Sequence, residues 1–146
     1  MEIRTLQQKD LEQMSVLYEE LLHGEKMTME HMEKMFHKIQ KRKDVTVLVA
    51  ADGDRCMGTV TAVLCYGLDG AFMVVENVVV SKACRRKGVG KSLFEKIDEL
   101  AEQNNCGYTI LVSSDFRKKA HKFYENMGYT DGVKGFRKST NSRKTT

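Results

Sequence analysis

Between residues 85 and 91 the chain reads Arg85-Arg86-Lys87-Gly88-Val89-Gly90-Lys91, four cations around two glycines. An apolar run from Phe72 to Val80 precedes it, and a repeat of Val89, Leu93, Ile97, Leu100 and Ala101 at helical intervals follows it. The segment therefore joins a strand to a helix. Backbone N–H groups at the start of that helix, and the positive end of its dipole, converge on one place, which suits an anion. Gly88 and Gly90 let the main chain approach closely, while Arg85, Arg86, Lys87 and Lys91 add charge. A phosphate or pyrophosphate fits best. Two known phosphate loops do not match. A P-loop ends in Gly-Lys-Ser/Thr, which Gly90-Lys91-Ser92 supplies, but it also needs a glycine where Arg85 stands. A dinucleotide fingerprint needs a third glycine at 93, which here is Leu93.

The elements that position this loop follow from periodicity. Leu11, Met14, Tyr18, Leu21 and Leu22 share one helical face, which Asp10 could cap and Gly24 could end. A second helix follows Thr28, with Met32, Met35, Phe36 and Ile39 in helical register. From Val45 to Ala50 the pattern turns β-branched, Asp52-Gly53-Asp54 marks a turn, and Cys56 to Tyr66 is a second strand of a hairpin. Gly67-Leu68-Asp69-Gly70 is another turn, and Phe72 to Val80 reads as a buried central strand. After the helix that begins near Val89, Tyr108 to Val112 is a short strand and Lys118 to Met127 a helix that Gly128 stops, with Ala120, Phe123, Tyr124 and Met127 on one face. Val133 to Phe136 reads as a last strand. With the alternating N-terminus as a first strand, the order β-α-α-β-β-β-α-β-α-β predicts an α/β fold with a mixed, mostly antiparallel sheet flanked by helices. Residues 1–138 are expected to form one domain and 139–146 a polar basic tail.

Composition excludes several classes. A chain of 146 residues with 41% hydrophobic and 30% charged residues can bury roughly 70% of its unfolded surface without staples or a metal. No apolar run approaches the roughly 20 residues of a membrane helix, and the N-terminus lacks a signal core, so a cytoplasmic protein without a membrane partner is expected. Cys56, Cys65, Cys84 and Cys106 form no metal-ligand spacing, which predicts free thiols and no metal. A net charge of +4 is too small to argue for nucleic acid.

The pattern Arg85-Arg86-Lys87-Gly88-Val89-Gly90, after Glu76-Asn77-Val78-Val79-Val80 and before Ala120-His121-Lys122-Phe123-Tyr124-Glu125-Asn126-Met127-Gly128-Tyr129, resembles the acyl-CoA-binding region of the GNAT superfamily of N-acetyltransferases. The resemblance covers about the C-terminal half and keeps the family order. It implies that the central strand splays from the next one, Tyr108 to Ser113, with the pantetheine arm of acetyl-CoA between them. Main-chain groups of Val78 and Val80, beside Val79, would bind that arm, and N–H groups from Arg86 through Lys91 would hold the pyrophosphate. The family chemistry is acetyl transfer to a primary amine by direct attack in a ternary complex. Glu76 is the candidate base, its pKa raised by partial burial. The amide around Val78 would serve the oxyanion. Tyr124 would protonate the departing thiolate, with an ordinary pKa near 10 that keeps it protonated at pH 7. A strand glutamate can equally face solvent, and Tyr124 can be core. Two positions depart from the family pattern: Arg117 stands where an asparagine commonly bonds the pantetheine, and Arg86 replaces a common glycine.

The resemblance also places the acceptor pocket at the first two helices, where Glu19, Glu20, Glu25, Glu30 and Glu33 would suit a cationic small molecule such as a polyamine, amino sugar or aminoglycoside. A protein lysine or N-terminus, a non-catalytic acyl-CoA-binding role, and a homodimer are the alternatives it leaves open.

Overall fold

A computed structural model describes residues 1–140. Five strands form one sheet in chain order: β1 (Glu2–Thr5), β2 (Val45–Asp52), β3 (Arg55–Gly67), β4 (Gly70–Val80) and β5 (Thr109–Leu111). The first four are antiparallel and β4 pairs with β5 in parallel, because tight turns join the early strands whereas a helix carries the chain from β4 to β5. That helix, α3 (Val89–Gln103), lies with α4 (Lys118–Asn126) on one face of the sheet; α1 (Leu11–Leu21) and α2 (Met29–Gln40) cover the other. The expected mixed, mostly antiparallel α/β architecture is the observed one.

Each face has its own core. Phe94, Leu93, Ile97 and Val89 of α3 pack on Leu48, Val60, Ala62, Met73 and Val75, while Met14, Leu17 and Met32 pack on Val49, Ala51, Cys56 and Val79. Gly58 is required where α3 crosses β3, since a Cβ there would stand 3.0 Å from Val89 Cγ1 and 3.1 Å from the Val79 carbonyl.

Two local expectations change and one holds. Asp10 does not cap α1. Its buried carboxylate accepts two hydrogen bonds from the Arg4 guanidinium at 2.7 and 2.9 Å and one from the Gln7 amide at 2.8 Å, tying β1 to the turn before α1. Thr28 does cap α2, its Oγ1 accepting from the His31 amide at 3.1 Å. Val133 to Phe136 forms no strand: residues 131–140 are exposed, without regular structure, and Val133 and Phe136 are 63% and 86% exposed. Alternation over so short a stretch cannot hold a strand unless a neighbour accepts its hydrogen bonds. Most of the expected tail, residues 141–146, lies outside the described residues.

Among the described residues no helix is long and apolar enough to cross a membrane. The four cysteines are free.

Candidate active site

The site forms where β4 leaves β5. Their pairing covers only Met73–Thr109, Val74–Ile110 and Val75–Leu111, so from Glu76 onward β4 continues beside β3 alone. A bulge starts at the same point. Glu76 is opposite Thr61 and Val79 opposite Thr59, so three steps of β4 match two of β3, and Asn77 takes a left-handed φ of 54°. The extra residue reverses the alternation. Met73 and Val75 face the α3 side before the bulge, and Val78 and Val80 face it afterwards, while Val79 turns to the α1 side. A free main-chain edge at Val78 to Val80 thus opens beside the diverging strand. This edge can take an extended polar arm. The Val80 carbonyl also accepts from Arg85 Nε at 3.4 Å.

The basic loop adjoins this edge. Gly88 is the residue before α3 and holds φ 79°, with nothing within 4 Å of where its Cβ would be. The start of α3 is therefore uncrowded on that side, as an anion cradle requires. Val89 buries its side chain in the core, so only its main chain can contribute. Gly90 has a second role that its motif does not reveal: a Cβ there would stand 3.0 Å from Phe123 Cζ and 3.3 Å from Cε1. The missing side chain lets α4 press against the first turn of α3. Arg86 explains why glycine is common at its position, since its φ is 63°, a region that costs a side chain roughly 1–2 kcal/mol.

The charges divide unequally. Arg86 and Lys87 are exposed on the loop, and Lys91 lies 3.9 Å from Glu95. Arg85 is turned toward α1, where its guanidinium pairs with Glu20. Glu20 is therefore an anchor for the loop, and Glu19 pairs with Lys26 at 3.6 Å. Glu25, Glu30 and Glu33 are exposed. Of the five glutamates, two are thus held in ion pairs and three face solvent.

Tyr124 lies against the α3-side core with Val78, Val80 and Phe123. Its ring is 5.8 Å from Phe94 and 6.4 Å from Tyr129. Burial pushes its phenol above the ordinary value, and the Arg117 charge offsets part of that rise, so the hydroxyl keeps its proton at neutral pH. Arg117 precedes α4, its guanidinium 5.8 Å from the Phe116 ring centre. His121 donates from Nε2 to the Ser114 carbonyl at 2.9 Å and so holds α4 to the preceding loop. The Cys56 thiol is pushed up to about 11 by burial and by Asp10, which leaves it protonated and not nucleophilic.

Glu76 departs from expectation. It is exposed, so the partial burial foreseen for it is missing. Register places it opposite Thr61 on the face that carries α1 and α2. Between those helices and the sheet lies a cavity of about 200 Å³ that reaches Thr61 and Asn77. Tyr18, Thr61 and Asn77 were not singled out from the sequence; the one available signal was an asparagine, a residue that tolerates left-handed backbone, inside a β-branched strand.

Comparison with known proteins agrees with this geometry. The chain belongs to the acetyltransferase (GNAT) family, whose model matches residues 11–129. It is 36% identical over 70 residues to the N-acetyltransferase YhdJ of Bacillus subtilis (strain 168), a stretch that is 47% of this chain and 49% of that one. The match thus spans about half the length of that relative. Solved structures that share the fold include the following two. A transcriptional regulator from Bacillus halodurans C-125 has a TM-score of 0.87 and 24% identity, covering 95% of this chain and 99% of the other. Glucosamine-6-phosphate N-acetyltransferase from Arabidopsis thaliana has a TM-score of 0.84 and 22% identity, covering 96% and 98%.

Proposed function

We propose that this protein transfers the acetyl group of acetyl-CoA to a small-molecule primary amine by direct attack, with both substrates bound together. The observation that carries the reading is the parting of β4 and β5 after Val75, with the bulge at Asn77 and the open N-terminus of α3 beside it. In a family whose members use acetyl-CoA, those features supply one edge for an amide-rich arm and one cradle for a pyrophosphate. Val78 and Val80 bind the arm through the main chain. The amides from Arg86 to Lys91 hold the pyrophosphate, with Arg86 and Lys87 adding charge. Arg117, just before α4, stands close enough to influence Tyr124 and takes the position of the family asparagine, where it adds a charge for the same substrate.

The chemistry then assigns roles. A neutral amine nitrogen forms the new bond to the acetyl carbon, the carbon–sulfur bond breaks, and the electron pair leaves on sulfur. Tyr124 gives that sulfur its proton. Glu76, exposed at the Thr61 end of the acceptor face, accepts the proton lost by the amine, directly or through water. The amide of Val78 at the bulge stabilises the developing oxyanion.

Release of CoA thiol across a panel of amino sugars, polyamines, alkylamines, amino acids and lysine peptides, blanked for the protein's own thiols, tests the reading. Turnover with a small amine is expected. Tyr124→Phe should lower kcat by roughly 10²-fold or more while acetyl-CoA affinity measured by calorimetry changes little. Full activity in Tyr124→Phe at every pH removes the tyrosine as the acid. Release with peptides alone makes the protein a protein-modifying enzyme, and acetyl-CoA binding without release to any amine makes it a binding module.

A further inference from the structure

The cavity between α1, α2 and the sheet holds about 200 Å³ and is walled chiefly by Met14, Met27, Met32, Met35, Phe36 and Ile39. Its polar lining is confined to Tyr18, His31, Thr61 and Asn77. Three of these gather at one end. The Tyr18 hydroxyl and the Thr61 side chain share a hydrogen bond, Thr61 is opposite Glu76 in the sheet, and Asn77 is the bulge residue. The cavity therefore runs from a wall of methionines to the point where β4 turns away from β5, next to Val78.

Among the described residues no carboxylate lines this space, and Glu76, beside its Thr61 end, serves the reacting nitrogen alone. Glu19 and Glu20 are engaged with Lys26 and Arg85, and Glu25, Glu30 and Glu33 face solvent. A polyamine or aminoglycoside carries further ammonium groups beyond the reacting one, and those would be desolvated among thioethers with no counter-charge. A sugar brings more hydroxyls than four polar side chains can satisfy. A hydrocarbon chain meets neither penalty, gains from leaving water, and finds in methionine a wall that adapts to its shape.

The geometry points to an apolar primary amine, alkyl or aryl-alkyl, as the acceptor, its chain filling the methionine-walled cavity and its nitrogen held at the Thr61–Asn77 end. This rests on the acyl-transfer reading and narrows it. The bond changes are those already described; the cavity determines which amine reaches the acetyl carbon.

A homologous series of straight-chain primary amines from propylamine to octylamine, with spermidine and glucosamine as comparators, tests it on the full chain at saturating acetyl-CoA. The value of kcat/KM should climb about fourfold per methylene and level off once the cavity is full. Met35 sits at the rim, 40% exposed, so Met35→Gln should fold and should flatten that climb, while calorimetry shows acetyl-CoA affinity unchanged. Fastest turnover with spermidine or glucosamine, or no dependence on chain length, overturns the apolar assignment and leaves acyl transfer standing. Acetyl-CoA binding without turnover of any amine overturns the assignment together with the catalytic reading. Failure to bind acetyl-CoA removes the site itself.

Discussion

Gly90→Ala separates the packing of this glycine against α4 from the binding role proposed for it. The added methyl would stand 3.0 Å from Phe123 Cζ and 3.3 Å from Cε1, against a ring already held edge-on to Phe94 at 5.5 Å and 79°. Overpacking of this kind costs about 1–3 kcal/mol. Alanine in place of glycine in a helix returns about 0.5–1 kcal/mol, so the net loss should be about 1 kcal/mol, a fall in Tm of about 2–4 °C for a chain of this size. The amide survives and no charge is added, so acetyl-CoA affinity should fall only slightly. In a Phe123→Leu background the methyl finds room, and Gly90→Ala should become neutral or stabilising, a coupling of roughly 1–2 kcal/mol in a double-mutant cycle. Gly90→Glu in that same background should still weaken acetyl-CoA binding strongly, because it sets a negative charge in the first turn of α3, whose amides are proposed to hold the pyrophosphate. The readouts are thermal or urea unfolding and calorimetric titration. A Gly90→Ala protein more stable than wild type, or equally damaged with and without Phe123, would refute the packing argument. An unchanged affinity in the Gly90→Glu variant would refute the cradle.

Two further tests concern stability. Arg86→Gly relieves a left-handed φ of 63°; that relief of roughly 1–2 kcal/mol, less the glycine entropy of roughly 0.4–1 kcal/mol, should stabilise the fold by about 0.5–1 kcal/mol in calorimetric scans, and a net loss contradicts it. Asp10→Asn leaves Arg4 without its counter-charge in a pair whose side chains are 14% and 1% exposed, and should cost about 3–5 kcal/mol in urea unfolding. Burial raises the Asp10 carboxyl, but the Arg4 hydrogen bonds and charge and the Gln7 amide outweigh it, so its pKa lies below the ordinary 3.8. A depressed acid stabilises the fold above its unfolded value and loses that contribution as pH falls through the folded one. The gap between wild type and Asp10→Asn should therefore be constant near neutrality and shrink below about pH 4; a gap that widens on acidification shows that the carboxylate is not the stabilising form.

Local pattern was enough for most elements. Alternating β-branched residues from Val45 and the helical repeats in α1 to α4 are properties of neighbours in the chain, and they carry through to the folded protein because each periodicity matches one face to be buried. The glycine-containing loop between β4 and α3 was likewise legible, since glycines between a strand and a helix announce their geometry wherever the chain folds. What depended on tertiary structure involved partners distant in sequence or a break in periodicity. The bulge at Asn77 shifts Val78 and Val80 onto the face of Met73 and Val75, a reversal that period-two reading cannot anticipate. Glu76 is exposed although it stands in the middle of a long strand, and Val133 to Phe136 remains outside the sheet for want of a pairing neighbour. Gly90 answers to a ring on α4, Arg85 to a carboxylate on α1, and the cavity beneath α1 and α2 gathers side chains from Leu6 to Asn77. Contacts of that kind arise only when layers close on one another, so the sequence by itself determined the family and most of the elements, whereas packing across both faces of the sheet decided the shape and polarity of the cavity beneath α1 and α2.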